Sequence, residues 1–172
     1  KGTREVIKKK ALQKNTVMEV LIVYTSLAFL MVIPDCKNAM GVEPVDLLWI
    51  AVKSFVIFLA WIFSFKAIKK MPISIYGVLD LSRVLFATLL GITVLKEVCS
   101  VPQLIGLALV CTGLLMLNRT RKLTSYKAEK VETVYVVIAI ASCMLNALSG
   151  LLDKILMKRV TSSQLQFWYM LF

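Results

Sequence analysis

Apolar residues run in long blocks along this chain, and polar residues fall between them in short clusters. A helix that crosses a bilayer needs roughly 20 predominantly apolar residues. Five blocks approach that length: residues 17–34, 46–68, 72–95, 101–117 and 134–152. A sixth begins at residues 165–172. The block at 101–117 carries no charge, and at 1.5 Å per residue it spans only about 26 Å. Pro72 opens the third block at a first helical turn, where its missing N–H costs nothing. The pattern predicts an all-α polytopic transmembrane bundle.

The connections at 66–71 and 96–100 are tight turns between antiparallel neighbours, and 118–133 is the longest and most polar connection. None holds an extramembrane domain, so function is expected within the helices or their loops. Lys1 is not an initiator methionine and residues 165–172 are too short to span. The chain therefore reads as a fragment, and residues 1–14 have no signal-peptide core.

Composition agrees with the pattern. Of the 172 residues, 59% are hydrophobic and 18% charged, with a mean hydropathy of +0.79. Ordinary soluble domains are near 45–50% apolar and roughly 25% charged. There is no His, which excludes His-based catalysis, metal sites and pH switches. No phosphate-binding glycine loop is present. The four Cys include no C-x-x-C pair and read as small apolar fillers. No cofactor and no metal are expected.

The net charge of +11 would suggest nucleic acid if it were gathered on a soluble face. Here it sits between apolar blocks, so the expected partners are a lipid bilayer and a small-molecule solute, with no nucleic acid. Alternating the connections between two faces puts fourteen Lys and Arg on one and five on the other. The positive-inside rule then makes the first face cytoplasmic, in a multi-pass protein of the cell membrane.

One internal echo stands out. The pentad Lys10-Ala-Leu-Gln-Lys14 precedes one apolar block, and Lys154-Ile-Leu-Met-Lys158 precedes another. An odd number of helices separates them, so the second copy would be inverted, as in the repeats of secondary transporters.

The stretch from Ala67 to Glu97 has a Pro72 opening after a short turn, then Gly91, an apolar run and Glu97. Gln103, Gly106 and Gly113 follow on the next helix. This arrangement resembles the drug/metabolite transporter superfamily, EamA type. The resemblance implies two inverted five-helix repeats. Residues 1–133 would hold the end of helix one and helices two to five, and residues 134–172 the start of the second repeat. It also implies a secondary transporter of a small polar metabolite or drug, working by alternating access, and not an enzyme. Two features depart from it. The family's usual orientation places the Lys8–Lys14 cluster outside, opposite to the charge count. Asp80 and Arg83 are also more polar than many members carry at that level.

Four residues are the candidates for binding substrate or ion. Asp80 and Arg83 share a helix face at i,i+3 and can pair. Counted from Pro72 they lie about 12 and 16 Å deep. Lys53, on the preceding helix, falls near the level of Arg83. The three sum to a positive charge, which favours an anionic solute; snorkelling of Lys53 to the nearer interface is its other reading. Asn146 lies mid-span on a small, polar stripe with Ser142 and Gly150, where packing competes with cavity lining. Gly106 and Gly113 read as a packing stripe, and Glu97 as a cap. Two other readings of the whole remain: a membrane-embedded enzyme for a lipid-linked substrate, with Asp80 and Arg83 as its reactive groups, or a non-catalytic accessory subunit.

Overall fold

The computed structural model describes residues 2–98, 100–123 and 133–172. Helices α1 (Gly2–Lys14) and α2 (Val17–Val32) lead through a short 3-10 helix (Ile33–Asn38) to α3 (Pro44–Lys70). Then come α4 (Ile73–Leu79), α5 (Ser82–Leu95), α6 (Val101–Leu123), α7 (Thr133–Leu156) and α8 (Ser162–Leu171). No strand occurs among the described residues, as the apolar blocks lead one to expect. Pro44–Lys70, Ile75–Leu95 and Thr133–Leu156 are long and apolar enough to cross a membrane. Helix α2 is shorter, at 16 residues.

Three expectations change. The third block keeps its membrane-crossing length, Ile75–Leu95, but its α-helical hydrogen bonding is interrupted: α4 ends at Leu79 and α5 starts at Ser82, with Asp80 and Leu81 still right-handed helical between them. The fourth is longer than its apolar run, because α6 continues through the basic residues to Leu123. At 1.5 Å per residue its 23 residues reach about 35 Å. Among the described residues the glycine stripe of α6 has no packing partner: a Cβ added at Gly106 or Gly113 would meet none of their atoms within 4 Å. Cys99 and most of the 118–133 connection lie outside the described residues.

The centre of the bundle is the antiparallel pair α3 and α7. Small residues let them approach: the buried positions of α7 include Ala139, Ser142, Cys143, Ala147 and Ser149. The Ser142 hydroxyl donates to the Ala60 carbonyl of α3 across 2.9 Å. Apolar residues close the two ends of α3. At one end Leu12, Leu21, Phe65, Ile68, Met71 and Tyr76 form a buried cluster. At the other, Ile50 packs with Leu156, Val160 and Leu165. Helix α5 packs on α7, while α6 touches the bundle more lightly, chiefly through α5.

Side-chain bonds gather the connections into two ends. Lys9 donates to the Met71 carbonyl and Lys69 to the Asn15 carbonyl, so the basic turns at 14–16 and 70–72 lie together. Gln164 donates to the Met40 carbonyl and Trp168 to the Ala39 carbonyl at the opposite end.

The pentad echo acquires structure. Each pentad lies at a helix end, that of α1 or of α7, and each leads into a helix capped by a threonine. Thr16 and Glu19 form a capping box on α2, and Thr161 and Gln164 form one on α8. In both, the threonine oxygen accepts the N3 amide and the N3 side chain takes the threonine amide, satisfying two otherwise orphaned donors.

Candidate functional site: a broken helix beside a charged cavity

The break falls at Asp80 and Leu81. Here the backbone tightens to i→i−3 bonds, from Leu81 N–H to the Val78 carbonyl and from Val84 N–H to the Leu81 carbonyl, both 3.0 Å. Such a change strands carbonyls, and an unsatisfied one in a bilayer costs several kcal/mol. Side chains answer for it. The Ser82 hydroxyl donates to the Leu79 carbonyl at 2.6 Å, and the Cys143 thiol reaches the same oxygen at 3.4 Å. Cys143 is therefore a donor to the break rather than only an apolar filler.

Beside the break, between α5 and α7, lies a cavity of about 930 Å³. Its walls include Arg83, Thr88 and Gly91 of α5 and Asn146, Gly150 and Asp153 of α7, with Glu97 and Lys154 at one end. Glu97 and Lys154 pair at 2.9 Å, so Glu97 holds α5 to α7 rather than capping a turn. Gly91 leaves the room for this: a Cβ there would stand 3.1 Å from Glu97 Oε2.

The four sequence candidates separate. Arg83 and Asn146 both line the cavity. Asn146 Nδ2 donates to the Ser142 carbonyl at 2.8 Å, which leaves Oδ1 as the acceptor it can offer. Asp80 is half-buried at the end of α4 and is not among the wall residues. The i,i+3 spacing spans the tightened turn, and of the two only Arg83 is among the wall residues.

Lys53 is also not a wall residue. It is buried on α3, and its ammonium pairs with Asp153 Oδ1 at 2.5 Å. The same ammonium sits 3.7 Å from the centre of the Tyr169 ring of α8. The depth count levelled Lys53 with Arg83 from Cα positions alone. The long side chain instead reaches the end of α7, where a carboxylate meets it. Asp153, Lys154 and Tyr169 were not candidates from sequence. The one available signal was energetic: a lysine within an apolar block requires an acid, and Asp153 terminates another block.

The fold and this cavity now stand beside a direct comparison. The model of the EamA-like transporter family matches residues 2–119, more than half of the chain. The chain belongs to the EamA-like transporter family. No curated protein and no solved structure matches. EamA-like proteins are helical membrane transporters, so the polytopic bundle, the apolar spans and the cavity between them have a common setting. Of the matched stretch, α5 supplies one cavity wall, while the facing wall on α7 lies beyond it.

Proposed function

We propose that this chain is part of a secondary transporter that moves a small polar solute bearing an anionic group through the cavity between α5 and α7. Arg83 contacts the anionic group, and Asn146 offers a neutral hydrogen bond nearby. The observation that carries this reading is Arg83 on the wall of the cavity, with Asn146 on the wall supplied by α7. The other wall charges are occupied: Glu97 pairs with Lys154, and Asp153 with Lys53. A guanidinium suits a carboxylate because its planar fork can donate two parallel bonds.

Alternating access between two inverted repeats would supply the movement. The matched helix starts at α2 and α8 support that arrangement. The cell membrane, with the fourteen-charge face cytoplasmic, is the proposed location.

The test uses the full-length protein in liposomes with a panel of carboxylate, neutral and quaternary-ammonium solutes. Arg83→Gln should lower carboxylate flux at least ~10-fold, the scale of a lost charge-assisted hydrogen bond, while the protein still folds. Flux of a quaternary cation, lost in Asp80→Asn and unaffected by Arg83→Gln, would overturn the anion assignment. Orientation is checked separately: an impermeant thiol reagent should label Cys36 from outside intact cells and should miss a cysteine placed at Ser125.

A further inference from the structure

We propose that Lys53 is a positioning residue that sets the charge selectivity of the cavity from behind its wall, by holding and neutralising Asp153. The inference rests on reading the cavity as the solute path.

Asp153 belongs to two environments. It lines the cavity on one side and pairs with Lys53 on the other. Its side chain is 37% exposed, while that of Lys53 is 4% exposed. A solute meets the carboxylate and never the ammonium. The ionisable residues on the wall are Arg83, Glu97, Asp153 and Lys154, and their charges cancel. Lys53 adds its charge from behind and offsets the Asp153 carboxylate. Without Lys53, the solute path would hold an uncompensated carboxylate beside Arg83.

The arrangement around Lys53 is built to keep it there. The Tyr169 ring covers the ammonium, a favourable cation–π contact when water is excluded. The Ser54 hydroxyl, one residue on, lies 2.9 Å from the Ile50 carbonyl of its own helix and 3.2 Å from the Tyr169 carbonyl, so its one hydrogen is shared between α3 and α8. The lysine is thus held by an acid from α7 and an aromatic from α8. It has no need of the solute to satisfy it.

The experiment reads the cavity's potential without requiring the solute. A cysteine is placed at Thr88, on the opposite wall, in full-length protein that keeps the buried Cys143 and has its other cysteines replaced. Its rates with an anionic sulfonatoethyl and a cationic trimethylammonioethyl methanethiosulfonate are measured, each divided by its rate with a free thiol. In the Lys53→Met background the anionic-to-cationic ratio should fall by about tenfold, because a unit charge acts through a low-dielectric wall. Asp153→Asn alone should raise it. The double variant should return it to near the parent value, and Lys53→Arg should leave it unmoved.

A ratio unchanged by Lys53→Met would overturn the proposal. So would both rates rising together in that variant, which marks a purely structural role. Lys53→Arg behaving like Lys53→Met would do the same. If the ratio shifts as expected but Arg83→Gln leaves carboxylate flux intact, the filter stands and the Arg83 reading falls. If Arg83→Gln abolishes that flux and the ratio never moves, the outcome is the reverse.

Discussion

Asp153 and Lys154 are adjacent on α7, yet they anchor it to opposite sides in opposite surroundings. Asp153 joins α7 to α3 through a lysine that water does not reach, with an aromatic ring from α8 over it. Lys154 joins α7 to α5 through Glu97, and both side chains are about half exposed, at 59% and 48%. The chemistry of the two pairs is the same and the dielectric is not. An exposed pair is worth about 0–1 kcal/mol. Breaking a buried pair by removing one partner costs about 3–5 kcal/mol, because a charge is left stranded. The α3 side is also tied by Ser142 to the Ala60 carbonyl. The α5 side begins at a helix break and carries α6, which has few other neighbours. One wall of the cavity is therefore pinned and the other is lightly held.

The largest expected effect tests the pinned side. Asp153→Ala should destabilise the purified protein by about 3–5 kcal/mol, read as a loss of thermal stability in detergent. Lys53→Met combined with Asp153→Leu should recover most of the loss, because neither charge is then stranded. If Asp153→Ala behaves like a surface substitution, the contrast between the two walls disappears.

The comparison also shows what was legible before the structure. Helix positions were, because a bilayer demands long apolar blocks and this chain supplies them. Arg83 was legible as mid-span polarity, which is expensive and usually faces a cavity; for Asn146 helix packing competed with cavity lining, and the structure puts both residues on the wall. The break at Asp80 and Leu81 was hidden: Asp80, Ser82 and Arg83 mark the place as polar, but a backbone carbonyl leaves no mark in a sequence. Part of its compensation comes from Cys143, 64 residues away from Leu79. The partner of Lys53 was hidden too. Depth counted along a helix axis locates a Cα, whereas a lysine delivers its charge several atoms away. The stripe at Ser142, Asn146 and Gly150 was half legible. Its spacing is real, but Ser142 packs on α3 while the other two face the cavity.

The next effect is on the break. Ser82→Ala together with Cys143→Ala removes both side-chain donors to the Leu79 carbonyl. A stranded buried acceptor costs about 1–3 kcal/mol. The loss should come with faster amide hydrogen exchange in α5 than in α3, because the break hinges only the former. Equal changes in both helices would mean that the two walls move as one body.

The smallest effect belongs to the pair at the cavity's end. Glu97→Gln should cost no more than about 1 kcal/mol, and raising the salt concentration in the wild type should mimic it, since an exposed pair is screened. The buried pair should be indifferent to the same salt, so the stability deficit of Asp153→Ala should hardly change between low and high ionic strength. Gly91→Ala offers a second approach to the same contact. Its new methyl group would stand 3.1 Å from Glu97 Oε2, the end of a flexible side chain that can withdraw. The expected result is a small loss of stability and a cavity end that opens more readily, seen as faster modification of the Thr88→Cys thiol by both charged reagents equally. A uniform rise reports access, and a change in the ratio reports charge. The Glu97 contact should therefore move only the first, and the Lys53 contact only the second. If Gly91→Ala shifted the ratio instead, the two pairs would not be independent, and the division of the cavity into a pinned wall and a lightly held one would have to be abandoned.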